Sequence, residues 1–171
     1  MHNLYHLIMK KRKAIFSILT LYILATSLSQ FANAQENPLG LKIHHATISV
    51  RNADSLSYWY VNTLGFKVLK TFTNDERHLV LVGIPGFRID LLQTKNSVRP
   101  AFQSTPAPKH MLTQGIRHLV FEPGNFDQAY DYLSSKGVVF FGQKPESKTG
   151  ANQTIYFKDP EGNILELIKE H

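Results

Sequence analysis

An internal repeat limits what this chain can become. Residues 43–50 alternate polar and apolar side chains and are rich in β-branched types, the pattern of a half-buried strand. Asp54 reads as a helix N-cap and Gly65 as a C-terminal stop, which predicts a helix over 55–64 with Leu56, Trp59, Tyr60 and Leu64 on its apolar side. Strands are expected over 66–72, 78–82 and 87–92, the last two joined by a turn at Gly83-Ile84-Pro85-Gly86. The order then returns: a strand over 116–122, a helix over 125–136 closed by Gly137, and strands over 138–141, 153–158 and 164–168. His45 to Asp54 spans 9 residues, as does His118 to Asp127, and His45 to Trp59 spans 14, as does His118 to Tyr132. Two supersecondary units of this length must share a core, which predicts an α+β fold of two βαβββ modules. Module one covers 41–92 and module two 115–170. Residues 93–114, with Pro100, Pro106 and Pro108, are a connector long enough to be a linker or a functional loop.

Residues ahead of the repeat have a different character. Lys10, Lys11, Arg12 and Lys13 precede an apolar run from Ala14 to about Leu28, and Ala32-Asn33-Ala34 offers small residues where a signal peptidase reads. The expectation is a secretory leader over 1–34, cleaved after Ala34, and an exported domain over 35–171. The apolar run is shorter than the roughly 20 residues of a spanning helix. No later segment is long and apolar enough either, so no membrane association is expected after cleavage. The leader carries four of the positive charges, so the formal charge falls from +6 to +2 (6 − 4) without it. The mature part has no basic stripe with interleaved aromatics, and nucleic acid is not an expected partner. With no cysteine, disulfides, thiolate metal ligands and a cysteine nucleophile are excluded.

Alternate residues of a strand share a face. His45, Thr47 and Ser49 therefore face one way, and Ala46, Ile48 and Val50 pack the other way under a helix. Arg88 and Asp90 share a face of the last strand in module one; Glu166 lies between Ile164 and Ile168 in module two. Each module thus offers a histidine on its first strand and a carboxylate on its last. These are separated by 45 residues (His45 to Asp90) and 48 residues (His118 to Glu166). If the modules pair about a pseudo-twofold, two imidazoles and two carboxylates converge, a donor set suited to Zn²⁺, Ni²⁺, Mn²⁺ or Fe²⁺ with positions left for water or substrate. Each of these residues also has an ordinary alternative, a hydrogen-bonded structural histidine or an edge-strand glutamate. Arg88 is a candidate for binding an anionic substrate group or for an ion pair with Asp90, and Tyr156 for donating a proton or filling the core. His78, His110 and His171 have no partner in the repeat and read as surface or loop residues.

Four segments resemble the vicinal-oxygen-chelate superfamily, the glyoxalase, bleomycin-resistance and extradiol-dioxygenase group. They are Ile43-His44-His45-Ala46-Thr47-Ile48-Ser49-Val50, Tyr58-Trp59-Tyr60-Val61-Asn62-Thr63-Leu64-Gly65-Phe66, Gly115-Ile116-Arg117-His118-Leu119-Val120-Phe121 and Asp159-Pro160-Glu161-Gly162-Asn163-Ile164-Leu165-Glu166. The resemblance implies paired modules forming an incompletely closed barrel, with His45, Asp90, His118 and Glu166 as metal ligands. Asp90 departs from the family's usual Glu or Gln and is one methylene shorter. A His45, His118, Glu166 set alone is the ligand type of the Fe²⁺ extradiol dioxygenases. The implied activity is a metal-dependent lyase or isomerase acting on a small substrate with vicinal oxygens, with Glu166, or Asp90 once off the metal, as the base; Tyr156 is the further catalytic candidate. A catechol dioxygenase and a metal-free antibiotic-binding resistance protein are the alternatives. Pairing of modules across chains in the family allows a homodimer.

Overall fold

In the computed structural model, the structure describes residues 38–99, 105–147 and 151–170. The expected leader lies outside them, as does His171. Each half of the domain is a four-stranded sheet with a helix. Module one runs β1 (Ala46–Ser49), α1 (Ala53–Leu64), β2 (Lys67–Thr73), β3 (Arg77–Ile84) and β4 (Phe87–Thr94). Module two runs β5 (His118–Phe121), α2 (Phe126–Ser135), β6 (Phe140–Phe141), β7 (Gln153–Lys158) and β8 (Ile164–Lys169). The spatial orders are β1-β4-β3-β2 and β5-β8-β7-β6, one topology used twice. Even the register repeats. Asp90 lies opposite Thr47, two residues past His45, and Glu166 lies opposite Val120, two residues past His118.

Several boundaries differ from the sequence expectation, among them the starts of both helices and of β1. Helix α1 starts two residues early because Asn52, not Asp54, is the N-cap; its side chain accepts the Ser55 N–H, and Asp54 falls in the first turn, where the helix dipole favours an acid. Asn125 caps α2 in the same way, so each cap lies seven residues past its module's histidine (52 − 45 and 125 − 118). Strand β1 pairs only from Ala46, so His45 stands just ahead of the ladder, whereas His118 opens β5. Helix α1 ends as expected at Gly65, whose φ of 75° is the left-handed conformation that glycine adopts without strain.

One core serves both modules. Leu56 and Tyr60 from α1, Ile89 and Leu91 from β4, Phe126 and Leu133 from α2, and Phe157, Leu165 and Leu167 from β7 and β8 are all buried in it. Phe121 of β5 meets Phe66 and Phe87 edge to face across the junction of the modules. With Ile89, Leu91, Leu165 and Leu167 turned inward, strand alternation turns Arg88, Asp90 and Glu166 to the opposite faces of their sheets. That is how packing of the core positions the polar groups.

Candidate functional site

The structure groups the expected site residues as two pairs. In module one, His45 Nε2 lies 3.6 Å from Asp90 Oδ2. Asp90 is already engaged by Arg88, whose Nε donates to Oδ1 at 2.8 Å and Nη2 to Oδ2 at 3.3 Å. Two residues apart on one strand, they form the fork-to-carboxylate pair that an arginine favours. In module two, His118 Nε2 lies 2.9 Å from Glu166 Oε2, and Glu166 is buried. Both histidines line one cleft of about 440 Å³ between β1 and the β5–β8 pair, together with Thr47, His110 and Asn163. Among the described residues, no group of three or more His, Asp or Glu is placed to hold a single ion. The donor types suit a divalent metal, but each pair offers two groups, below the usual three or four protein ligands.

Tyr156 sits against this second pair. Its ring packs 5.4 Å from that of His118, and burial, followed by the charge of Glu166 and its hydrogen bond, pushes the phenol above its ordinary value. It therefore stays a proton donor over the neutral range.

The sequence reading placed His110 on the surface or in a loop, and here the structure corrects it. The connector forms a short 3-10 turn, Lys109–Leu112, that carries His110 into the interior at 4% exposure. His110 Nε2 lies 2.9 Å from His118 Nδ1, and the His110 ring stands 5.4 Å from that of Tyr156. His78 belongs to β3, where its ring nitrogens meet Asp54 and Thr73. The connector's length was the one signal that could have pointed to His110.

Burial first, then the neighbouring His118 and Arg117, holds the His110 imidazole below the ordinary histidine value of 6.5. The unfolded chain therefore binds this proton at a higher pH than the folded one. The resulting stability is present above pH 6.5 and is lost as pH falls through the folded value. Urea midpoints of the metal-free protein should fall between pH 7 and pH 5, and His110→Phe should flatten that fall; an unchanged slope in the variant refutes the assignment.

The Asp-Pro-Glu-Gly-Asn turn has a role of its own. Asp159 closes it, accepting from the Glu161 and Asn163 backbone N–H groups at 2.9 Å each and from Asn163 Nδ2 at 2.7 Å. Burial outweighs these bonds and pushes the Asp159 carboxyl above its ordinary value. Tyr60 of α1 brings its hydroxyl to within 3.4 Å of the same carboxylate. Glu161 reaches across to module one, accepting the Arg51 and Asn52 backbone N–H groups at 2.8–2.9 Å and meeting Arg99 at 3.4 Å. The turn that leads into the Glu166 strand thus anchors the start of α1. Sequence alone marked the turn and left its partner unseen, because that partner is a backbone more than a hundred residues away.

Comparison with known proteins agrees with this architecture. The sequence profile of the Glyoxalase/Bleomycin resistance protein/Dioxygenase superfamily matches residues 42–167. An uncharacterised protein of Bacillus subtilis (strain 168), YwkD, is 30% identical over 132 residues, covering 75% of this chain and 96% of that one. The glyoxalase family protein from Enterococcus faecalis superimposes with a TM-score of 0.60 at 22% identity, over 77% of this chain and 99% of its own. TnmS3, an antibiotic binding protein from Streptomyces sp. CB03234, gives 0.53 at 20% identity, over 75% and 97%. With the repeated topology, the matched register and a profile that spans both modules, the chain belongs to the Glyoxalase/Bleomycin resistance protein/Dioxygenase superfamily.

Proposed function

We propose that the protein is an exported, metal-dependent lyase or isomerase of the glyoxalase kind, acting on a small substrate with oxygens on neighbouring carbons. The observation that carries this reading is the buried Glu166, 2.9 Å from the His118 imidazole and opposite Tyr156 on the neighbouring strand. Imidazole, carboxylate and phenol on adjacent strands are the groups needed to move a proton between adjacent carbons. Glu166 is the base in this scheme. His118 stands 2.9 Å from its carboxylate, and Tyr156, opposite Glu166 on the neighbouring strand, is the neutral donor that can return a proton to a substrate oxygen. His118 and Glu166 from one pair, with His45 and Asp90 from the other, are the residues that would hold a divalent ion. Such an ion supplies Lewis-acid stabilisation of the negative charge that develops on a substrate oxygen. Arg88 gives Nε and Nη2 to Asp90, so its Nη1 is the group that would meet an anionic part of the substrate. His45 and His118 line one cleft of a single chain, and a homodimer that pairs His45 of one copy with His118 of the other is the alternative arrangement.

A metal-free small-molecule binder is the second reading. It is favoured by Arg88–Asp90 and His118–Glu166, which compensate each carboxylate without any metal, and by a fold shared with an antibiotic-binding protein. Metal analysis of the mature protein separates the two. Near-stoichiometric metal, followed by solvent-deuterium incorporation next to the carbonyl of α-hydroxycarbonyl substrates, supports the lyase or isomerase. Catechol cleavage with Fe²⁺ would transfer the proposal to the dioxygenases. Failure to take up any divalent metal, together with binding of aromatic compounds, would leave the binder. Export has its own check: protein from the native host should begin at Gln35 by mass spectrometry, and an intact 1–34 in a cytosolic fraction would refute it.

A further inference from the structure

The two candidate ligand histidines are held in the same way. His45 directs Nε2 toward Asp90 and places Nδ1 2.7 Å from His44 Nδ1. His118 directs Nε2 toward Glu166 and places Nδ1 2.9 Å from His110 Nε2. Each module therefore has a file of imidazole, imidazole and carboxylate. They differ in burial: His44 is exposed, so water competes for its bond, while His110 is 4% exposed in the interior.

We propose that His110 is a positioning residue, brought by the connector to fix the ring of His118 so that Nε2 faces the space beside Glu166. Its consequence for metal binding rests on the reading of His118 and Glu166 as ligands given above; the positioning itself does not. In a neutral imidazole one nitrogen donates and the other accepts. The 2.9 Å contact to the Glu166 carboxylate calls for a proton on His118 Nε2, so Nδ1 accepts and His110 Nε2–H donates. His110 Nδ1 is then a bare lone pair. That nitrogen is buried with no hydrogen-bond partner, and an unpaired lone pair is better tolerated there than an unpaired N–H. With an ion at Nε2, His118 must instead carry its proton on Nδ1, and His110 Nε2 is the acceptor in reach. His110 can take that part by carrying its own proton on Nδ1, at the cost of burying that N–H without a partner. Flipping the His118 ring would break both bonds at once. Outer partners of this kind orient a ligating histidine and set its basicity.

Two measurements test the proposal. In the metal-free wild type at about pH 8, where imidazoles are largely neutral, ¹⁵N NMR should show coupling through the hydrogen bond between His110 Nε2 and His118 Nδ1. Its absence overturns the positioning role. In zinc titrations, His110→Phe keeps the ring and its packing but can neither donate nor accept. It should weaken affinity about 10- to 100-fold. His110→Gln, whose amide can turn to donate or accept, should restore most of it, and His44→Phe should change little. Equal loss in Phe and Gln variants would reduce His110 to packing and overturn the proposal. A wild type that takes up no zinc sinks the metal reading of the site, and the imidazole coupling then decides the role of His110 by itself.

Discussion

Replacing His118 by alanine, or Glu166 by glutamine, should abolish stoichiometric zinc uptake, with affinity falling by more than about 100-fold. Loss of an outer partner alone costs about 10- to 100-fold, and these substitutions remove a ligand. Glu166 is buried, so its carboxylate has no substitute from solvent, and the His118 imidazole stands 2.9 Å from it. Asp90→Ala should cost less, because Asp90 is already committed to Arg88 through two hydrogen bonds. Isothermal titration of the metal-free mature protein with zinc reads all three. Affinity in His118→Ala equal to that of the wild type would remove module two from the site.

Replacing Glu161 by alanine should destabilise the domain by about 3 kcal/mol, because hydrogen bonds to a charged group contribute about 1.5–3 kcal/mol and more than one is lost. The Arg51 and Asn52 backbone N–H groups lose their acceptor, and the start of α1 loses its tie to module two. For a domain of this size that is on the order of 10 °C in melting temperature. Glu161→Gln keeps the shape and one acceptor oxygen and should cost about half as much on the same reasoning. Thermal unfolding by circular dichroism measures both. An alanine variant that melts with the wild type would mean that the modules are held by the shared apolar core alone.

The sequence by itself determined the architecture. Equal spacings from His45 and His118 announced a duplicated unit, and strand alternation put Arg88 and Asp90 on one face of their strand. These are local regularities, period two in a strand and period 3.6 in a helix, and they survive in one dimension. The matched register of Asp90 and Glu166, whose spacings from their histidines differ, appears only in the folded strands. Tertiary structure decided which side chain meets which. Arg88 and Asp90 share a strand face in the sequence, and only the folded strand shows the guanidinium bonded to the carboxylate with His45 3.6 Å away. His110 has no place in the repeat, so no periodicity reports it; the turn of the connector brings it to His118. Glu161 bonds to backbone N–H groups, which every residue but proline has and which leave no mark in a sequence. The fold was legible because it depends on patterns, and the site was not because it depends on distances between residues far apart in the chain.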